Sequence, residues 1–369
     1  MNTITVKSNR FDDPNLALIT NFLQAEFPEL HGCNVEARVE AIVEELIGSR
    51  QYRLAGKPMP ESEVAIRDVV RIALEANKAI PVLIVGGPKK TLLHESIDVA
   101  ELSALRILAC INRKVQEHHG AGLDINLRLE DATGHYLEGT APEMLTTMEQ
   151  YTGDLAKLTR ILGYDFINVI KETEIINPSV LAAEADTIFP VFLDYLKEST
   201  LISDPAKWAD LSSFRKLQAY GWQGMIPPEM REYYHYRYSH LFPQYNELQR
   251  LEVVARYLGI TLGRHRLKAL GINPEWNGKF IQISFAPPIV GEPQNRISTR
   301  LYYRSVPLSH SKKHIPFWRA KGILKLNGSA RISLANWNEP LDLNPFEVII
   351  SKGSESVVVK ADYVIDTHE

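Results

Sequence analysis

Cysteine is nearly absent from this chain of 369 residues: Cys33 and Cys110 are the two that occur, far apart and in no metal-ligand spacing. That excludes a disulfide framework and a zinc ribbon, and it fits a reducing compartment. No apolar run approaches the roughly 20 residues a membrane-spanning helix needs. The N-terminal MNTITVKSNRFDD also lacks the apolar stretch of a signal peptide. Excess charge of one sign is missing too. The formal net charge is −4, with no basic run or charged tail, which argues against nucleic acid or a membrane surface as partner. Internal repeats and low-complexity tracts are lacking as well. The expectation is a cytoplasmic protein that acts on small-molecule substrates, with a large core in one elaborate body or two.

The apolar pattern divides the chain into three. Residues 1–78 read as a helical N-terminal segment: Val35, Val39, Ile42, Val43 and Leu46 recur at helical spacing, as do Val64, Ile66, Val69, Val70, Ile72 and Leu74. Both sets are expected to face a core. Residues 79–275 begin with strand and helix in alternation. AIPVLIVGG, LDINLRLED and FINVIKE have the length and composition of strands buried on both faces, predicted at 80–85, 123–129 and 166–171. Between them IDVAELSALRILACINRKVQEHHG and APEMLTTMEQYTGDLAKLTRILG each carry an apolar stripe, with Gly120 and Gly163 as stops. His118 and His119 fall in the last turn of the first of these, where an imidazolium suits the helix dipole. Such alternation implies an α/β fold with a Rossmann-like, largely parallel sheet and right-handed crossovers. A helical insertion follows over 178–270. Residues 276–369 are β-rich (FIQISFA, RISTRLYY, GILKLNG, ARISLAN, FEVIIS, SVVVKADYVI), with some strands expected to extend the sheet and complete the same domain.

Ligands of a parallel sheet belong in the loops after the strand C-termini. The first such loop, 86–97, contains GGPKK, and its Lys89 and Lys90 stand before a helix predicted to start near Val99. There Asp98 and Glu101 have capping-box spacing. Two ammonium groups between a strand end and a helix N-terminus can hold an anion; a solvated turn is the plain alternative. The stretch matches neither G-x-x-x-x-G-K-[ST] nor G-x-G-x-x-G, so neither ATP nor NAD is indicated.

The second loop, 130–141, carries Asp131, His135 and Glu138 in LEDATGHYLEG. A carboxylate and an imidazole this close can share acid-base work; an Asx turn with an exposed histidine is the alternative. Pro227 and Pro228 can open a helix on which Tyr233 and Arg237 share one face and Tyr234 and Tyr238 the next, offering phenols and a guanidinium to a ligand or simply packing. Arg296, Arg300 and Arg319 lie around predicted strands, where a guanidinium fork can clamp a carboxylate or phosphate, or stay exposed. His235 with His240, and His310 with His314, make no strong zinc pattern, so no metal is expected.

Taken in order, these motifs resemble the family of pyoverdine and dityrosine biosynthesis enzymes, which includes the amino-acid isonitrile synthases. The family pattern has a strand, a Lys-containing turn and a Pro-Asp-x-x-Glu-x-x-Ala-Leu helix. GPKKTLLHESIDVAELSALRIL is similar, with Lys89 on the turn and Asp98 and Glu101 on the acidic pair. LEDATGHYLEG resembles the family's Asp-Gly-type loop through Asp131, Gly134 and Gly139, and RISTRL its later basic strand through Arg296 and Arg300. The likeness spans roughly residues 79–335. One departure stands out: where many members have Pro-Trp-His-Gly, this chain has Pro316-Phe317-Trp318-Arg319, and an arginine cannot carry protons.

The resemblance implies condensation of an amino acid's α-amine with the C2 carbonyl of ribulose 5-phosphate, giving an isonitrile, or a formyl-type modification of the amine. For that chemistry the expected catalytic residues are Lys89, Asp131 and His135, and the expected substrate-binding residues Lys90, Arg296, Arg300, Arg319, Tyr234 and Arg237. No cofactor is called for, and a tailoring oxygenase would act downstream. The alternatives are a phosphate-ligand enzyme of other chemistry and a non-catalytic binding protein.

Overall fold

The structure, a computed structural model, describes residues 5–8, 34–48, 60–86, 97–129, 131, 142–197, 244–246, most of 248–260, 280–284, 296–298, 320–326, 330–336 and 344–365. Its centre is a five-stranded sheet built of β2 (Ile80–Gly86), β3 (Leu123–Leu129), β4 (Ile167–Lys171), β5 (Ile281–Ser284) and β6 (Arg296–Ser298). The order is β4-β3-β2-β5-β6 and every pairing is parallel. The three strands expected near 80, 123 and 166 are therefore neighbours in one sheet, and the α/β class follows from the strand order itself. The chain steps from β2 outward to β4, then returns to the other side of β2.

A second five-stranded sheet has the order β1-β9-β10-β7-β8 and is mixed: β7 (Ala320–Leu326) runs parallel to β10 (Glu355–Ile365), and the other pairs are antiparallel. Here β8 is Ala330–Asn336 and β9 is Asn344–Lys352. Thus β5 and β6 extend the parallel sheet while the later strands build a separate one. Its edge strand β1 (Thr5–Ser8) comes from the N-terminal segment, which the helical reading did not anticipate.

Between the sheets run α3 (Val99–His118) and α4 (Pro142–Leu162); α3 touches β3 on one side and β7, β8 and β10 on the other. Sandwiched in this way, α3 is buried all round over residues 101–109, although Glu101 and Arg106 made it read as a one-sided stripe. Helix α2 (Pro60–Glu75) packs on β2 and β6, and α1 (Val35–Val43), extended by a π-turn over Glu44–Gly48, packs on α2 and α3. One apolar cluster joins Val39, Ile42 and Leu46 with Ile80, Val82, Ile84, Ile125, Leu127, Val348 and Val357. Each such fully buried aliphatic side chain contributes about 2 kcal/mol. Three residues expected in the core are exposed instead: Val35, Val64 and Ile72 lie on the outer sides of their helices.

Helix ends follow their local chemistry. Gly163 closes α4 with φ +72, and the Tyr164 N–H reaches back to the Thr159 carbonyl at 2.9 Å. After α3 the left-handed residue is Gly122 (φ +65), not Gly120; a Cβ there would come within 2.5 Å of Asn112 Oδ1, which accepts the Leu123 N–H. His119 serves as a buried tie and not as a dipole partner. A carbonyl only accepts and a guanidinium only donates, so Nε2 donates to the Lys78 carbonyl at 2.6 Å and Nδ1 faces Arg38 Nη2 at 3.3 Å. Helix α5 (Pro178–Lys197) opens the insertion. Among the described residues no helix is long and apolar enough to cross a membrane.

Candidate functional site

In-register pairing puts Gly86, Leu129 and Lys171 side by side, so the chain leaves β2, β3 and β4 along one edge of the sheet. Because the strand order reverses at β2, the C-terminal edge between β2 and β5 is the topological switch point, the usual ligand position in such sheets. Residues 87–96, with Lys89 and Lys90, follow β2 in sequence and lie outside the described residues. The chain is described again at Ile97 and Asp98, held against β10 by the Lys360 N–H bonding to the Ile97 carbonyl at 2.9 Å. The predicted capping contact is present at the start of α3: Glu101 Oε2 accepts the Asp98 N–H at 2.8 Å, while Oε1 accepts the Tyr151 hydroxyl at 3.1 Å. Glu101, buried, thereby fixes the helix N-terminus to α4.

The two faces of the sheet differ. Ile80, Val82 and Ile84 on β2, Leu123, Ile125, Leu127 and Leu129 on β3, and Ile281 and Ile283 on β5 belong to the core cluster. Alternation sends their neighbours to the opposite face. There the register runs Asn168–Asn126–Leu83–Gln282–Arg296 across all five strands. Parallel sheets covered on both sides are normally apolar on both, which is what the sequence of these strands was expected to give. In this row the residue on β2 is the apolar one, and the other four are polar. Asn168 is in solvent, Asn126 is half-buried, and Leu83 and Gln282 are buried, at 3% and 7% exposure. At the outer end Asn168 donates to Asp124 Oδ1 at 2.8 Å.

Closer to the C-terminal edge lies a buried charged group. Arg128 on β3 and Glu172, directly after β4, are both fully buried, with Nη2 and Oε1 3.9 Å apart. Asp131, 4% exposed, accepts the Thr173 N–H on Oδ1 at 3.0 Å and the Thr173 hydroxyl on Oδ2. Thr173 sits in the short 3₁₀ turn Glu172–Glu174, so this carboxylate joins the start of the β3 loop to the end of β4. Charged groups so deep belong in ion pairs and hydrogen bonds, which hold them in fixed places. Among the described residues no three of His, Cys, Asp and Glu gather as a metal site.

Of the residues singled out from sequence, Asp131 and the backbone of Arg296 are described. Lys89, Lys90, His135, Arg300, Arg319, Tyr234 and Arg237 lie outside the described residues. Arg296 opens β6 beside Gln282, three strands from β3; at about 4.8 Å per strand its backbone is at least about 14 Å from that of Asp131. Gln282, Asn126, Arg128, Glu172 and Thr173 were not anticipated. A signal was there for two of them: LDINLRL alternates apolar and polar residues, the mark of a strand with one polar face.

No protein-family model matches the chain, and no curated protein matches it. Among solved structures, the PvcA protein from Pseudomonas aeruginosa is similar at TM-score 0.49 and 14% identity, over 89% of this chain and 99% of that one. A Leishmania major tyrosyl-tRNA synthetase in complex with tyrosinol is similar at TM-score 0.23 and 13% identity, over 53% of this chain and 25% of that one. Any relationship at these values is distant, and the fold class stands on strand order and register.

Proposed function

We propose that this chain is an enzyme that condenses the α-amine of an amino acid with the C2 carbonyl of ribulose 5-phosphate, as the resemblance of its motifs to the isonitrile synthases implies. The observation that carries the reading is the reversal of strand order at β2, because the lysine turn of the resemblance is the segment that leaves this strand. Amine addition to C2 followed by loss of water gives an imine. That step needs an anion site for the phosphate, a polarised carbonyl and a group that moves protons. Lys89 and Lys90 take the phosphate or polarise the carbonyl. Arg296 and Arg300 clamp a carboxylate or phosphate, with Arg319 adding a further anion fork. His135 moves the proton, and Asp131 holds the beginning of its loop through Thr173. Tyr234 and Arg237 offer a phenol and a guanidinium to the substrate.

The lack of a histidine in Pro316-Phe317-Trp318-Arg319, where the family pattern has Pro-Trp-His-Gly, favours a second reading, a formyl-type modification of the amine. Incubation with ribulose 5-phosphate and a mixture of amino acids, followed by untargeted mass spectrometry, tests both. A product retaining one sugar carbon on the amino nitrogen is expected. Consumption of a sugar phosphate without an amine would point to other phosphate chemistry, and binding without turnover to a non-catalytic protein.

A further inference from the structure

We infer that two copies of this chain meet through the outer face of the second sheet, across a two-fold axis that runs along the strands between β9 and β10. The inner face of those strands is taken up by the core: Val348, Ile350, Val357 and Val359 are buried in the apolar cluster. Alternation sends Ile349 and Val358 to the other face. They are 40% and 44% exposed and stand directly opposite each other on adjacent strands. The register gives this face three rows, Thr5–Ser351–Ser356, Lys7–Ile349–Val358 and Glu347–Lys360. Glu347, Lys360, Ser356, Thr5 and Lys7 are exposed as well. An apolar pair thus lies beside one charge of each sign. Exposed β-branched residues alone are ordinary on a strand; the placing of the charges is what selects the occupant. A two-fold axis parallel to the strands keeps each row and exchanges β9 with β10. Ile349 then faces Val358 of the second copy, and Glu347 faces its Lys360, so that four charges alternate in sign beside four apolar side chains. Packed sheets lie about 10 Å apart, a gap that these long side chains bridge. An axis across the strands would set the charges against Ser351 and Ser356 instead. The face is therefore self-complementary in the first arrangement, and such a contact closes at two copies. Joining at the β1 edge is opposed by Lys7 on that strand.

The test is sedimentation velocity of the full chain over about 1–100 μM, a range that brackets micromolar association. The parent is compared with Val358→Lys, Glu347→Lys, Lys360→Glu and an equimolar mixture of the last two. The parent should sediment increasingly as a dimer with concentration, and less so as salt is raised. Either single charge variant sets like charges against each other and should weaken association at least about tenfold. Val358→Lys should do the same by charging the apolar pair. Mixing the two charge variants makes every facing pair opposite in sign again and should restore dimers that neither forms alone. All three positions are exposed, so the fold should tolerate these changes. A parent that stays monomeric throughout overturns the inference. So does a dimer of equal strength in the parent and all three variants, which puts the contact elsewhere. A mixture that associates no better than its components overturns it too, because the losses would then not come from charges that face each other.

Discussion

Thr173 donates to both carboxylate oxygens of Asp131, through its backbone N–H at 3.0 Å and through its hydroxyl. The two residues are far apart in sequence, yet this contact fixes how the chain leaves β3 relative to how it leaves β4. With both oxygens so engaged, Asp131 acts first as a clamp, and the mobile proton of the scheme falls to His135.

Thr173→Val keeps the shape and removes the hydroxyl donor. A hydrogen bond to a buried carboxylate contributes about 2 kcal/mol, so Thr173→Val should lower the stability measured by urea unfolding by about that amount. Thr173→Ser, which keeps the donor, should cost less than half as much. Equal losses from both variants would show that the methyl group and not the hydroxyl matters.

The Arg128–Glu172 pair calls for a double-mutant cycle. Removing one partner of a buried pair strands the other charge and costs about 3–5 kcal/mol, while replacing both with apolar groups is often near neutral. Glu172→Leu should thus be more destabilising than Arg128→Met with Glu172→Leu together. Additive single effects in denaturant unfolding would mean that the two side chains do not depend on each other.

Much of this fold is legible in the sequence because its signals are local. AIPVLIVGG announces β2 by its own composition, and Asp98 with Glu101 announces the start of α3. What escapes reading depends on distant partners. TVKS becomes β1 only because β9, at the far end of the chain, supplies hydrogen bonds. Gln282 is one amide in a short run; its place in a polar row exists only once β2 and β6 lie beside it. Glu101 and Arg106 look like the solvent side of a helix until a second sheet covers that side.

Tyr164 gives a pH dependence. It packs tilted against Phe166, with ring centroids 5.8 Å apart, and burial pushes its hydroxyl above the usual 10.0, with Arg106 pulling the other way. The folded state thus favours the neutral phenol. Its contribution to stability is complete below the ordinary tyrosine value and is lost as pH rises through the raised one. Urea midpoints should fall more steeply above pH 10 in the parent than in Tyr164→Phe. Parallel curves would show that this phenol titrates alike in folded and unfolded chains.

Three substitutions separate the roles proposed for the residues around the switch point. Lys89→Ala removes a charge that meets the phosphate or the reacting carbonyl, and it should abolish turnover with little change in unfolding temperature, as expected for truncation of a turn lysine. Arg319→Lys loses bidentate geometry that ground and transition states share, so KM should rise more than kcat falls. His135→Gln removes the proton carrier, a contribution made in the transition state, so kcat should fall with KM nearly unchanged. Its pH–rate profile should also lose the limb that belongs to imidazole. If His135→Gln kept that limb, the proton would have to move through another group. The loss of the family pattern's histidine from Pro316-Phe317-Trp318-Arg319 would then have been compensated elsewhere than in the β3 loop.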